Sequence, residues 1–230
     1  MNGMEDILNF LRSLREHNDR DWFNDNKTWY QRVKKRVEAL ASELIAVVAD
    51  DDPSASGLTA ADCTYRIYRD TRFSADKTPY KTHIGIFINP PAGKKSMRCG
   101  YYLHIEPDNC FVAAGTVCLP SSLVREIRRS IYDEIDEYRS IVESPEFRAQ
   151  YSVIGLNLLK TAPKGFPKDW EYIDYVRPKD FCCSQPLPEE FMLRPDLSEA
   201  LRPAVRQARR FNEFINYTVD EFIERCKTTR

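Results

Sequence analysis

The apolar residues of this chain recur with a helical period in some stretches and with a period of two in others, which constrains the fold more than any other feature. The helical stretches predict four helices. Asp19 is a suitable N-cap for the second, and Pro120 fits the first turn of the third. Pro203 is expected near the start of the last. The predicted helices cover residues 4–17, 19–50, 120–144 and a C-terminal stretch from about 198.

Between the second and third helices the apolar residues alternate with polar ones, as they do along β-strands. Turn residues separate the alternating stretches, so consecutive hairpins and antiparallel pairing are expected. The sequence therefore predicts a meander of about four strands, with two short strands further along the chain. The meander covers residues 63–69, 82–89, 98–106 and 110–117, and the later strands cover 156–160 and 180–185.

These elements predict an α+β fold, in which a central, mostly antiparallel sheet is flanked by long N-terminal, middle and C-terminal helices. No repeat or linker interrupts the chain, so residues 1–230 are expected to form a single domain. No apolar run approaches the ~18 residues of a membrane span. The early charges do not fit a secretory signal, so we expect a cytoplasmic protein without a membrane partner.

The seven cysteines are scattered and include no Cys-x-x-Cys pair. An odd number without that spacing fits neither a disulfide framework nor a standard zinc site. We therefore expect the cysteines to be buried, reduced thiols.

Cations are concentrated in one segment, residues 66–83, although 34 Lys+Arg against 35 Asp+Glu leave the chain at a net charge of -1. Guanidinium and ammonium groups close together suit a phosphate or carboxylate ligand. The alternative is that these cations are solvated or paired with Asp70 and Asp76, which would contribute little. The candidate ligand-binding residues are Arg66, Tyr68, Arg69, Arg72, Lys77, Tyr80, Lys81 and Tyr102.

Candidate acid–base groups lie beside this segment. Tyr102, His104 and Glu106 alternate along one predicted strand and so share a face, and His83 can lie beside them on the neighbouring strand. If the site is catalytic, His83, His104 and Glu106 are the expected general acid–base residues. A structural His–Glu pair is the alternative. His83, His104, Asp70 and Glu106 could supply nitrogen and oxygen ligands to a metal, but no compact ligand spacing predicts a metal site. No glycine-rich loop identifies a nucleotide cofactor.

Several stretches together resemble one protein family. They are Asn18-x-Arg20-x-Trp22-Phe23, residues 66–74, residues 77–85 and residues 100–107, followed by the later Pro163–Asp169 stretch PKGFPKD. This ordered set is similar to the DUF2461 family, with a departure at Trp170, where the family pattern has His. The family has no known function, so the resemblance implies a fold-sized unit with a site and no particular activity.

Two functions fit these features. The first is binding of a small phosphorylated or carboxylated ligand, with or without catalysis. The second is a nucleic-acid-binding module in which the same cations contact phosphates and tyrosines stack on bases. The near-neutral chain favours the first, because it offers little nonspecific attraction for a phosphate backbone. The sequence does not predict the cofactor or the oligomeric state.

Overall fold

A computed structural model describes residues 3–228 of the chain. It contains a five-stranded antiparallel sheet with the strand order β1-β2-β3-β5-β4, and helices, which confirms the α+β class. The strands are β1 (Ile84–Ile88), β2 (Gly100–Ile105), β3 (Phe111–Thr116), β4 (Val153–Leu156) and β5 (Asp180–Pro186). The helices are α1 (Gly3–Glu16), α2 (Arg20–Asp25), α3 (Lys27–Asp51), α4 (Ala60–Cys63), α5 (Ser121–Asp133), α6 (Ile135–Val142), α7 (Pro145–Arg148), α8 (Glu189–Met192), α9 (Leu197–Ala200) and α10 (Arg202–Thr228).

The chain divides into two compact units, and strands β2 and β3 each contribute to both. The first unit contains the chain as far as Lys94, together with Tyr102–Val112 and Pro186–Arg202. The second contains Lys95–Tyr101, Ala113–Gln185 and the chain from Pro203 onward. Whether residues 1–230 act as a single domain stays a prediction.

In the first unit, α1 and α3 bury the apolar faces that their sequences predict. The five predicted core residues of α1 are each at most 2% exposed, which excludes water from that side of the helix. Asp6 lies among them, only 2% exposed. It accepts hydrogen bonds from Trp29 Nε1 at 2.9 Å and Arg32 Nε at 2.9 Å, and its Oδ2 lies 3.0 Å from Arg36 Nη1. This buried carboxylate therefore ties α1 to α3.

The predicted helix over residues 19–50 is interrupted once. Asp19 caps α2 as expected, since its side chain accepts a hydrogen bond from the Trp22 backbone N–H. Asn26 then leaves the helical conformation, with φ -100° and ψ 15°, and its amide nitrogen donates to the Trp22 carbonyl. The chain therefore forms two helices, α2 and α3, where the sequence predicts one. Glu134 interrupts the predicted 120–144 helix in the same way, with φ -114° and ψ 42° between α5 and α6.

The predicted strand over residues 63–69 does not form, which is the main error in the meander. Cys63 ends α4, and the residues after it pair only through isolated bridges, Thr64 with Ile86 and Tyr68 with Tyr80. Isolated bridges pair few backbone N–H and C=O groups, so these residues do not form the continuous ladder of hydrogen bonds that defines a strand. The next three strands form as predicted, each slightly shorter.

The second unit contains the C-terminal part of the sheet and α5, α6, α7 and nearly all of α10. Strand β5 matches the prediction, whereas β4 lies at Val153–Leu156, a few residues before the predicted 156–160. Pro203 lies at the beginning of α10, as expected. Trp170, the departure from the family pattern, packs against Tyr132 with ring centroids 4.5 Å apart.

All seven cysteines are free thiols. Cys63, Cys99, Cys110, Cys182 and Cys183 are buried as predicted, but Cys118 and Cys226 are exposed, so the prediction of buried thiols fails for those two. Within residues 3–228, none of the helices combines the length and the hydropathy that crossing a membrane requires.

Candidate functional site

The cationic segment is anchored in the first unit by its own backbone. Arg69 N–H donates to the Pro79 carbonyl at 2.9 Å, and Lys81 N–H donates to the Ile67 carbonyl at 2.8 Å. These two bonds fold the segment into a hairpin-like loop whose tip comprises residues 70–78. Ile67 and Tyr80 are buried at its base, 3% and 4% exposed.

Two residues of the Asn18–Phe23 motif hold the base of this loop. The Asn18 side chain donates to the Tyr80 carbonyl at 3.0 Å and accepts from the Tyr80 N–H at 3.1 Å. Phe23 stacks on the Tyr80 ring, with centroids 4.0 Å apart and planes 14° apart. The motif therefore supports the loop. Of the two predicted ligand-binding tyrosines in the loop, Tyr80 is buried and Tyr68 is half-exposed.

Three of the predicted ligand-binding cations contact other groups of the same loop. Arg69 donates to Asp76 and to Thr78, Arg72 Nη2 donates to Asp70 at 2.7 Å, and Lys77 Nζ donates to the Thr71 carbonyl at 2.9 Å. A backbone hydrogen bond from Thr78, followed by the side-chain bond from Arg69, lowers the pKa of Asp76 to about 2. The ligand-binding role predicted for these three cations stays a prediction.

Arg66 and Lys81 are placed differently. Within residues 3–228, neither side chain forms an ion pair, and Arg66 is exposed while Lys81 is half-buried. Asp70, which accepts hydrogen bonds from Arg72, is close enough to Arg66 for a weaker attraction that also lowers the pKa of the carboxyl group. Lys81 Nζ lies 5.5 Å from the centre of the Tyr65 ring, and Lys94 Nζ lies 5.7 Å from the same ring. Burial, and then repulsion from Arg66, lower the pKa of the Lys81 ammonium. Arg66 and Lys81 are therefore two neighbouring cations that form no ion pair within the described part of the chain.

The predicted acid–base residues do come together. His104 Nε2 lies 3.2 Å from Glu106 Oε2, and His104 Nδ1 lies 2.8 Å from the Tyr102 hydroxyl. The rings of His83 and His104 have centroids 4.8 Å apart. These three residues form one cluster, the His83–His104–Glu106 cluster. His83 lies directly before β1, His104 lies on β2, and Glu106 directly follows β2.

Burial sets the electrostatics of this cluster. It lowers the pKa of both His83 and His104, which favours neutral imidazoles at neutral pH. Burial alone would raise the pKa of Glu106, but hydrogen bonds from Asn109 and His104 outweigh it and lower that pKa. Burial raises the pKa of the Tyr102 phenol to about 12. At neutral pH the cluster therefore consists of one carboxylate and two neutral imidazoles, and the protonated phenol of Tyr102 lies beside it.

Sequence reasoning missed the residues that hold this cluster in place. Asn109 Nδ2 donates to Glu106 Oε2 at 2.7 Å, and Thr82 Oγ1 donates to Glu106 Oε1 at 3.3 Å. Phe111 stacks on His104 with centroids 4.5 Å apart. Asn109 lies in the predicted turn after Glu106, so the turn is a signal that could have placed it near the cluster. The contact of Phe111 with His104 has no such signal, because cross-strand neighbours depend on strand register.

Gly85 makes room for Tyr102. A Cβ atom at Gly85 would lie 2.6 Å from the Tyr102 hydroxyl and 2.7 Å from its ring. The phenol can reach His104 only because residue 85 has no side chain.

The arrangement has three chemical capacities. Arg66 and Lys81 can attract an anion, the neutral imidazoles can accept a proton, and the His83–His104–Glu106 cluster presents ligand atoms of the kinds that bind transition metals, all within 4.8 Å of one another. Lys81 lies close enough to His83 to lower its pKa further by repulsion, so these groups belong to one neighbourhood.

Comparison with known proteins gives one match. A family model described as a conserved hypothetical protein, DUF2461, matches residues 6–214. No curated protein and no solved structure matches the chain.

Proposed function

We propose that this chain, which belongs to the DUF2461 family, binds a small phosphorylated or carboxylated ligand through Arg66 and Lys81. The observation that supports this is that two neighbouring cations repel each other and form no ion pair among residues 3–228. Charges of the same sign held together and partly desolvated are unfavourable on their own. An anion between them would remove the repulsion and restore a counter-charge.

The neighbouring groups support a small ligand. Tyr65 is 45% exposed beside Lys81 and offers a ring face, and Tyr102 and His83 offer hydrogen-bonding groups. The loop cations Arg69, Arg72 and Lys77 contact partners within the loop, so the ligand is expected to contact Arg66 and Lys81 first.

Thermal denaturation of protein freed of metal on a chelating resin, with no soluble chelator present, tests the proposal. We expect inorganic phosphate or citrate, against sodium chloride of equal ionic strength, to raise the Tm of the parent protein saturably. At a ligand concentration of ten times Kd the expected stabilisation is about 1.4 kcal/mol, or a few degrees for a chain of this size. The phosphate and citrate arms distinguish a phosphate ligand from a carboxylate ligand.

Variants locate the effect. The double variant Arg66→Ala/Lys81→Ala is expected to lose the anion-dependent rise in Tm. Lys35→Ala, which removes an exposed cation from α3 in the same unit, is the matched control and should respond like the parent protein. The proposal fails if neither anion stabilises the parent protein, or if the double variant responds as strongly as the parent.

A further inference from the structure

We infer that His83, His104 and Glu106 form the protein part of a binding site for a divalent first-row transition-metal ion. Two imidazoles and one carboxylate, with further coordination positions open, are a donor set that zinc and ferrous sites use. This inference goes beyond the proposed anion site, since it depends on different side chains.

The spacing of the three groups supports it. Their ligand atoms all lie within 4.8 Å of one another. Ligand atoms that share one zinc ion at about 2.0–2.2 Å lie about 3–4 Å apart, so a metal would draw the most distant groups together by about 1–2 Å. His83 is half-buried and lies just outside β1, where a small rotation of its side chain can supply that movement.

His104 on β2 and Glu106 directly after it also have the outer hydrogen-bond partners that metal ligands need. Ligating imidazoles are usually oriented by a hydrogen bond to their second nitrogen, and ligating carboxylates are hydrogen-bonded in turn. Here the Tyr102 hydroxyl oxygen lies 2.8 Å from His104 Nδ1 and can accept the Nδ1 proton when Nε2, which is directed at Glu106, binds a metal. Asn109 and Thr82 donate to the Glu106 carboxylate, and Phe111 covers one face of the His104 ring.

Spacing along the sequence gives only a weak signal for this donor set, because its members are not close in a helical motif. His104 and Glu106 share a face of β2 through the two-residue repeat of a strand, and His83 arrives from the segment that leads into β1. Only strand pairing brings residue 83 next to residue 104. A search for compact spacings therefore finds nothing.

Metal titration of the full chain tests the inference. The protein is stripped with EDTA, exchanged into a phosphate-free, citrate-free buffer, and titrated with Zn²⁺ by calorimetry and with Co²⁺ by visible absorption. We expect one equivalent of metal to bind. Co²⁺ should give the bands of nitrogen and oxygen ligation without the near-ultraviolet band of thiolate ligation. The background variant Cys118→Ser/Cys226→Ser, which removes both exposed thiols, should give the same result.

Site variants complete the test. His83→Ala and Glu106→Gln should each weaken Zn²⁺ binding by at least about tenfold. These two residues are less buried than His104, and circular dichroism checks that both variants fold. His17→Ala is the matched control, because His17 is the remaining histidine and lies exposed after α1. The inference is overturned if the parent protein binds no metal, or if His83→Ala and Glu106→Gln bind it as tightly as His17→Ala does. Because the anion test uses metal-free protein and the metal test contains no phosphate or citrate, either proposal can fail without the other.

Discussion

In the metal-free protein, His104 is held in one protonation pattern by its two neighbours. The Glu106 carboxylate can only accept a hydrogen bond, so the His104 nitrogen 3.2 Å away carries the proton. The other nitrogen then has a free lone pair and accepts from the Tyr102 hydroxyl at 2.8 Å. A chain of donors running from phenol to imidazole to carboxylate therefore fixes the orientation of the ring.

Gly85→Ala is expected to break that chain at its phenol end while leaving the fold intact. The added methyl group would lie 2.6 Å from the Tyr102 hydroxyl, and the end of a tyrosine side chain can move aside more readily than the β1 backbone. Nitrogen NMR of the imidazoles should show a changed Nδ1 shift for His104, matching the change in Tyr102→Phe.

Gly57→Ala is the control for this experiment, because a Cβ atom there meets nothing within 4 Å. It should leave the His104 resonances where they are in the parent protein. An unchanged His104 spectrum in Gly85→Ala would contradict the role assigned to residue 85.

Among the secondary-structure elements, those with long, unbroken periodicity are the ones that the sequence predicts well. The α1 face of Ile7, Leu8 and Leu14 is buried as expected, and β1, β2 and β3 lie inside the predicted stretches. The interruptions at Asn26 and Glu134 escape prediction, because each depends on the conformation of one residue and leaves the apolar pattern unchanged.

The 63–69 segment fails for a different reason. It alternates like a strand, but alternation reports only that one side is buried, and pairing requires a partner of matching length. Ile67 is buried as the alternation requires, while Tyr65 is 45% exposed and lies beside Lys81. The sequence therefore predicts that His83, His104 and Glu106 meet, but not the conformation of residues 66–83, because a loop that pairs only at its base has no periodic signal.

Asp6 provides a test of the contact between α1 and α3. Hydrogen bonding from Arg32, followed by that from Trp29 and attraction to Arg36, outweighs burial and lowers the pKa of Asp6. A carboxylate whose pKa is lower in the folded state stabilises the fold above its unfolded pKa, and this contribution is lost as the pH falls through the folded pKa. Asp6→Asn should therefore lower the free energy of unfolding at pH 7 by about 1.5–3 kcal/mol.

Urea denaturation across a pH series measures this effect. The difference between the parent protein and Asp6→Asn should be constant at neutral pH. It should shrink as the pH falls below about 4, where the carboxyl group of the unfolded chain becomes protonated, and should be lost once the pH falls below the lowered pKa of the folded state. Glu5→Gln, at the exposed neighbouring position of α1, should differ little from the parent protein at any pH. A difference between Asp6→Asn and the parent protein that stays constant down to pH 2 would show that the carboxylate charge is not what stabilises the contact.

At the scale of the whole molecule, the number of cations matters less than the number that lack partners. The chain has 34 Lys+Arg and a net charge of -1. In the cationic segment, Arg69 and Arg72 are neutralised by Asp76 and Asp70, two acids that the sequence places within a few residues of them. A count from the sequence therefore overestimates the charge that the segment offers to a large polyanion.

The number of cations without partners determines how strongly nucleic acid, the ligand of the alternative function, should bind. If only Arg66 and Lys81 are available to contact phosphates, the slope of log Kobs against log[salt] for any binding to duplex should be no steeper than about -2, because each neutralised phosphate contributes about -0.9. Fluorescence anisotropy with labelled single- and double-stranded oligonucleotides of about 20 nucleotides, from about 50 to 200 mM salt, should show little or no binding at the upper end. A slope of about -5 or steeper that Arg72→Ala/Lys77→Ala reduces would show instead that the loop cations leave their partners to contact phosphates. The half-exposed Tyr68 and the 96% exposed Phe73 would then be the aromatic side chains placed to stack on bases.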